Sequence, residues 1–449
     1  MSNETNEKVG EDHSDDSASL PSTTLNKDDD KINQGKGWRP GDRLQVAVVS
    51  FSHTIQHGYV AALGVAYPFV LADFHVSYAV LGIILGAAGI VGGLLQGLAA
   101  VVKKYSTKVL LGSQNLGMAL ALVIAAIAPG FVVFGAARIF GTLVSWPQHP
   151  VGSAHLTERV PHRKGFVLAM HTTGGNLGTL LTPLITSIII AYYGWRPALL
   201  TIAALTAVAS LLTWTSVHEP GHISKRDQAK VDLGTKTAPE PTPAVKKEDG
   251  SLIQALRRRE AKAVLGAGMI SGAGRGLGVL AVYIPAYLRT GLHMSALTIG
   301  VLVTMVSIGA LAGPGVGGQL SDKLGRRPVL LSLYVLGAAA LVSFVMVGSN
   351  PVIVGAMGFF VGVFSYSEQP LRQALFSDVM HGVDARKVFG AYFAISQSVG
   401  ALWITALGIL ITEVGFKSAF FTMAGSFIVA AIIIGLFAKE KIAPTVSGA

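Results

Sequence analysis

From Leu44 onward the chain is a succession of apolar stretches of roughly 20 to 28 residues, parted by short polar or charged segments. A hydrocarbon core needs about 20 residues of helix, so each stretch is long enough to cross a bilayer. Twelve helices are predicted, over 44–72, 78–102, 108–128, 131–156, 164–192, 195–217, 260–288, 294–320, 328–348, 351–377, 386–412 and 415–438. Two polar regions frame them. Residues 1–43 carry Asp15, Asp16, Asp28, Asp29 and Asp30 among serines and lysines, lack an apolar signal-peptide core, and read as a disordered tail. Residues 217–258, with Pro239, Pro241 and Pro243 beside Lys246 and Lys247, read as a flexible linker between six-helix bundles at 44–216 and 259–438, and 439–449 form a short tail. The expected fold class is an all-α membrane protein of twelve transmembrane helices in two pseudo-symmetric bundles.

Composition agrees with that pattern. The chain is 51% hydrophobic and 13% charged, which excludes an ordinary soluble enzyme. Its lack of cysteine excludes disulfides, thiolate metal sites and cysteine nucleophiles. The net charge of +10 raises the question of nucleic acid, but sixteen of the 25 acidic residues sit in the two polar regions and the basic ones lie in short clusters between apolar runs. Such clusters mark the cytoplasmic loops of a polytopic protein and offer no continuous face for nucleic acid. Lys103, Lys104, Lys108, Arg159, Arg163, Lys164, Lys323, Arg326, Arg327, Arg386 and Lys387 all fall on one side, against Arg196, Arg289 and Lys417 on the other. Both termini are therefore expected in the cytoplasm.

The two halves echo one another. His75-Val-Ser77 after span one recurs as His293-Met-Ser295 after span seven, and His149-Pro150 in span four is matched by Gln369-Pro370 in span ten. Parallel six-helix repeats are one way in which secondary transporters build a central substrate path. Between spans eight and nine stands Gly318-Gln-Leu-Ser-Asp322-Lys323-Leu-Gly325-Arg326-Arg327, which resembles the G-x-x-x-D-(R/K)-x-G-(R/K)-(R/K) loop of the major facilitator superfamily. The resemblance covers residues 44 to 438 and implies a gating loop in which Asp322 accepts from a neighbouring helix N-terminus or arginine; a solvated topogenic loop is the alternative. In the first half Val102 stands where that aspartate would be, so a latch there is missing or built differently. Trp146-Pro147-Gln148-His149-Pro150, Gly174-Gly175-Asn176-Leu177-Gly178 and the His53-x-x-x-His57-x-Tyr59 run resemble the fosmidomycin-resistance-like branch.

Ionisable residues inside apolar runs are the candidate chemistry, because a charge at a helix centre costs about 2.5–3.5 kcal/mol on insertion scales and must meet a partner or a watery cavity. They are His53 and His57 in span one, Arg138 in span four, Arg275 in span seven, and Glu368 and Arg372 in span ten. In the superfamily that the chain resembles, these four helices line the central cavity. Arg275, His57, His53, Arg138 and Tyr59 are the candidate substrate-binding residues. Arg275 lies in Gly272-Ala-Gly274-Arg275-Gly276-Leu-Gly278, a run suited to close packing or local unwinding rather than to a dinucleotide, and a guanidinium there can grip a carboxylate or phosphonate with two hydrogen bonds or instead pair with Glu368. Arg138 resembles the span-four arginine of proton-coupled members, although Arg138-Ile-Phe-Gly141 is one residue short of the family spacing. Glu368, with Arg372 at i+4, is the candidate proton-coupling group or half of a permanent helix pair. His53 and His57 share a helix face and could carry protons or pack as polar residues.

A membrane metalloenzyme built on His149, His155, His162 and His171 is disfavoured. No H-E-x-x-H occurs, and the six-residue spacing of His149 and His155 is off the i,i+4 face. The sequence thus predicts a monomeric inner-membrane transporter, not an enzyme, with no metal or cofactor. It moves a small organic anion by alternating access coupled to protons, with efflux of apolar or cationic drugs as the alternative.

Overall fold

All the described elements are helical, as lipid demands of a backbone that must satisfy its own hydrogen bonds. The structure is a computed structural model and describes residues 38–96, 106–218, 251–380, 383 and 385–438. The readings placed on residues 1–37, Val102, 219–250 and 439–449 lie outside the described residues. Gly41–Ala449 is one unit, separate from Met1–Pro40.

Spans one, two, three, five and six are Asp42–Phe74, Tyr78–Gln96, Thr107–Ala126, Lys164–Tyr193 and Trp195–Ser216. Spans eight, nine, ten, eleven and twelve are Ala296–Leu324, Arg326–Met346, Pro351–Val379, Ala385–Glu413 and Phe416–Phe437. Span one thus begins inside the expected tail, and a short helix, Leu252–Leu256, occupies the end of the expected linker. Spans four and seven are not the continuous helices expected. Span four runs Phe131–Val144, opens at residues 145–147, and resumes as a π turn, Gln148–Gly152, and a helix, Ser153–Arg159. Pro147 and Pro150 explain the opening, since neither has an N–H to continue the ladder, and the Gln56 side chain donates to the freed Ser145 carbonyl at 3.0 Å. Span seven breaks at Arg275, between the helix Arg259–Ser271 and a π turn at Gly276–Leu280 that leads into Ala281–Ala286.

The halves are built alike. Span one packs on five and six, three on six and four, and span nine likewise on twelve and ten. The bundles meet through spans two and eleven and through five and eight, contacts that exchange under the repeat. His75 and His293, at matching places, are the two non-glycine residues with positive φ among the described residues, both at 55°. Each ends one span in a left-handed turn while a serine two residues later caps the next: Ser295 accepts from Thr298 N at 3.2 Å and Ser77 from Val80 N at 3.5 Å.

Glycines set the closest packing. A Cβ on Gly174 or Gly178 of span five would lie 2.4 or 2.0 Å from the Ser50 or Thr54 carbonyl oxygen of span one. Gly309 and Gly313 play the same part between spans eight and ten. Outward-facing residues such as Leu116, Val132, Leu211, Val316 and Leu436 are apolar and exposed, as suits a surface bathed in lipid.

Four hydrogen bonds join the bundles at mid-depth and on the side remote from Asp42. Tyr78 meets Thr290 at 2.7 Å, Thr412 accepts from Ala79 N at 2.9 Å, Thr405 donates to Gly82 O at 2.9 Å, and Ser307 donates to Thr179 O at 3.1 Å. Arg289 sits over the Phe69 ring on that same side, 5.1 Å from its centroid. The bundles are therefore joined at mid-depth and on the remote side.

Candidate functional site

Arg275 occupies the break in span seven. Its own backbone is extended, with ψ 131, and its buried guanidinium donates through Nη1 to the Ser396 carbonyl of span eleven at 3.1 Å. Gly400 provides the room, since a Cβ there would sit 2.3 Å from Nη2. The expected alternative of an Arg275–Glu368 pair is not what the structure holds. Glu368 is fully buried and bonded instead to Arg372, one helical turn away, with Oε2 3.0 Å from Nε and Oε1 3.4 Å from Nη2. Tyr334 of span nine adds a hydroxyl donor to Oε2 at 3.2 Å. The only acid deep in a span is thereby satisfied, and among the described residues Arg275 has no carboxylate partner.

In the first bundle Arg138 is held by hydroxyls. Nε donates to Tyr67 at 2.6 Å, Nη1 to Thr142, and the guanidinium carbon lies 5.6 Å from the Tyr59 ring centroid. Tyr59 itself is 1% exposed and wedged against Gly141, so it is positioned to support Arg138 rather than to face a cavity.

Closer to the Asp42 side, four imidazoles from three spans come together. His53 stacks on His171 of span five with centroids 4.0 Å apart, and stands edge-on to His57 at 4.5 Å and to His149 at 4.9 Å. The sequence grouped His149 and His171 with His155 and His162, apart from His53 and His57, whereas the π turn at Gln148–Gly152 carries His149 to span one. His155 points elsewhere and bonds Gln45 at 3.1 Å. Beside the imidazoles lies a buried amide network that a search for ionisable groups missed. Gln148 accepts from Ser52 at 2.8 Å and from Gln114 at 3.1 Å, and donates to Val49 O at 3.1 Å, while Asn115 donates to Ser52 at 2.8 Å. Polar residues recurring in otherwise apolar spans three and four were the available signal.

The sequence and the architecture match known proteins. The model described as Major Facilitator Superfamily matches residues 49–274 and again 264–448, nearly all of the membrane region. The chain belongs to that superfamily. Within it, the multidrug resistance protein MdtG of Yersinia enterocolitica is 25% identical over 328 residues, covering 72% of this chain and 74% of the relative. A protein of Cupriavidus pinatubonensis named "Probable 4-methylmuconolactone transporter" is 22% identical over 293 residues, covering 64% of this chain and 63% of the relative. Among solved structures, the nucleoside transporter NupG overlays with a TM-score of 0.68 at 15% identity, covering 89% of this chain and 100% of that one. A D-xylose-proton symporter overlays at 0.66 with 15% identity, covering 88% and 98%. Their shared fold is that of a multi-pass membrane transporter, and the present chain is one.

The superfamily loop between spans eight and nine can be placed in those terms. Asp322 and Lys323 close span eight, Gly325 turns the chain with φ 91, and Arg326 opens span nine. Asp322 is exposed, and the ion pair formed here is a different one: Arg326 Nε lies 2.8 Å from Asp378 at the end of span ten. Arg327 donates to the Ile434 and Gly435 carbonyls of span twelve. On the same side the first bundle holds its own pair, Arg159 Nε to Asp42 at 2.8 Å, with the aspartate fully buried. The side chains of Arg386 and Lys387 lie outside the described residues.

Proposed function

We propose that this transporter moves a small organic anion of carboxylate or phosphonate type across a bacterial inner membrane by alternating access, driven by protons, with both termini cytoplasmic. One observation carries the reading: two guanidinium groups, Arg275 and Arg138, sit within the bundles held only by hydroxyls and a carbonyl, while the one acid at that depth is spent on Arg372. A cation in a low-dielectric interior is costly unless an anion approaches it, and a guanidinium offers a carboxylate or phosphonate a two-pronged grip. Glu368 is then the proton carrier: the Glu368–Arg372–Tyr334 cluster links spans nine and ten, and taking up a proton would release Arg372 as the second bundle rocks.

The test is uptake and exchange by the purified protein in proteoliposomes, with carboxylates, phosphonates and cationic drugs offered in turn. Anion flux that rises with an imposed proton gradient supports the reading. Flux of cations alone overturns it and favours the second reading, drug efflux, for which the name of the Yersinia relative speaks.

A further inference from the structure

We propose that His53, His57 and His149 form a binding site for a borderline-soft divalent metal ion such as Zn2+, with an open fourth position for an oxygen of the transported anion. The ligand nitrogens of these three residues all lie within 4.8 Å of one another. A tetrahedral ion with bonds of about 2.0–2.1 Å needs them roughly 3.3 Å apart, so a contraction of at most about 1.5 Å completes the site.

The hydrogen bonds leave the rings in the form a metal requires. His53 Nδ1 stands 2.7 Å from the His171 carbonyl oxygen, which can only accept, so the proton is on Nδ1 and Nε2 presents a lone pair. That Nε2 is buried and has no hydrogen-bond partner, in a side chain 5% exposed. At His57, Nδ1 lies 3.1 Å from Thr179 Oγ1, whose own hydroxyl proton is directed to Gly175 O at 3.3 Å. Thr179 therefore accepts, and His57 Nε2 is bare as well. Gly175 seats the His53 ring, since a Cβ at that position would come within 2.8 Å of its Cε1. His171 lies face to face with His53 at an angle of 16°, so its own lone pairs run in a parallel plane instead of converging on the same point. His149 is exposed, which gives an ion a way in.

No carboxylate belongs to the group among the described residues, so three neutral imidazoles leave the charge of a bound dication uncompensated. In a membrane interior an anion is the natural fourth ligand. This last step rests on the anion reading above, whereas the metal site does not.

The experiment is titration calorimetry of the tag-free protein in detergent with Zn2+ alone, followed by Co2+ to record the visible spectrum of a tetrahedral ion. One equivalent should bind, with His149→Ala and His57→Ala abolishing it, Thr179→Val weakening it by roughly 10- to 100-fold through loss of the ring's orienting partner, and the exposed His75→Asn leaving it unchanged. Thr179→Val keeps all three ligands and guards against variants that merely misfold. Absence of stoichiometric binding, equal binding in the His149 and His57 variants, or a Co2+ spectrum of purely octahedral type overturns the site. Zinc binding without anion flux in proteoliposomes would keep the site and reject the anion reading; anion flux without zinc binding would do the reverse.

Discussion

In the proposed proton-driven cycle coupling turns on Glu368, because its partners differ in kind. Arg372 comes from its own helix, whereas Tyr334 comes from span nine and ties the Glu368 side chain to a second helix. Glu368→Gln preserves shape but removes the titratable group. Proton-driven accumulation in proteoliposomes should then fall to background while counterflow of preloaded substrate persists. Loss of folded protein instead would mark the cluster as a structural pair, since removing one partner of a buried pair costs about 3–5 kcal/mol. Arg275→Lys should raise the half-saturating anion concentration about tenfold or more and leave pH dependence in place, because the charge remains but the two-pronged geometry does not. Both residues stood out in the sequence, since a charge inside a twenty-residue apolar run has few structural excuses. Their partners did not: Tyr334, Ser396 and the Gln148 network lie on other helices, at separations that no helical period encodes.

Helix positions along the chain were largely legible, because the length of an apolar run reports bilayer thickness directly. What escaped was continuity. The openings in spans four and seven are created by Pro147 and Pro150 and by the glycines around Arg275, while Pro370, at the place matching Pro150, sits inside an unbroken span ten. A proline in a membrane helix breaks it only where a neighbour can satisfy the freed carbonyl, as Gln56 does for Ser145, and that neighbour is a tertiary fact. Close packing is similarly tertiary. Gly178→Ala would push a Cβ to 2.0 Å from the Thr54 carbonyl and should cost about 1–3 kcal/mol, whereas Gly315→Ala, with nothing within 4 Å, should be neutral or add up to about 1 kcal/mol of helix propensity. Thermal melting of the two variants in one detergent separates them. The repeated His-x-Ser turns carry a matched expectation: His75→Gly and His293→Gly each relieve a left-handed backbone at 55° and should raise the melting temperature slightly, by the same sign in both halves.

The two-bundle plan is visible in the sequence as a repeat, but the state of the carrier is not, because it depends on which ends of the bundles touch. Here contacts are made by small residues of spans two and eleven and of five and eight, from the side remote from Asp42 to mid-depth. A carrier that works by rocking must break them once per cycle. The absence of native cysteine makes this testable without background. A Cβ on Gly86 would lie 3.3 Å from that of Thr405, just short of the roughly 3.5–4.5 Å that a disulfide spans. The double variant Gly86→Cys, Thr405→Cys should therefore cross-link under mild oxidation. Oxidised protein should lose substrate flux yet keep binding from the Asp42 side, and reduction should restore the flux. Agents that hold the carrier open to the remote side should slow the cross-link, because they hold those two positions apart. Full transport by fully cross-linked protein would show that spans two and eleven do not separate, and rocking about this contact would have to be abandoned as the mechanism.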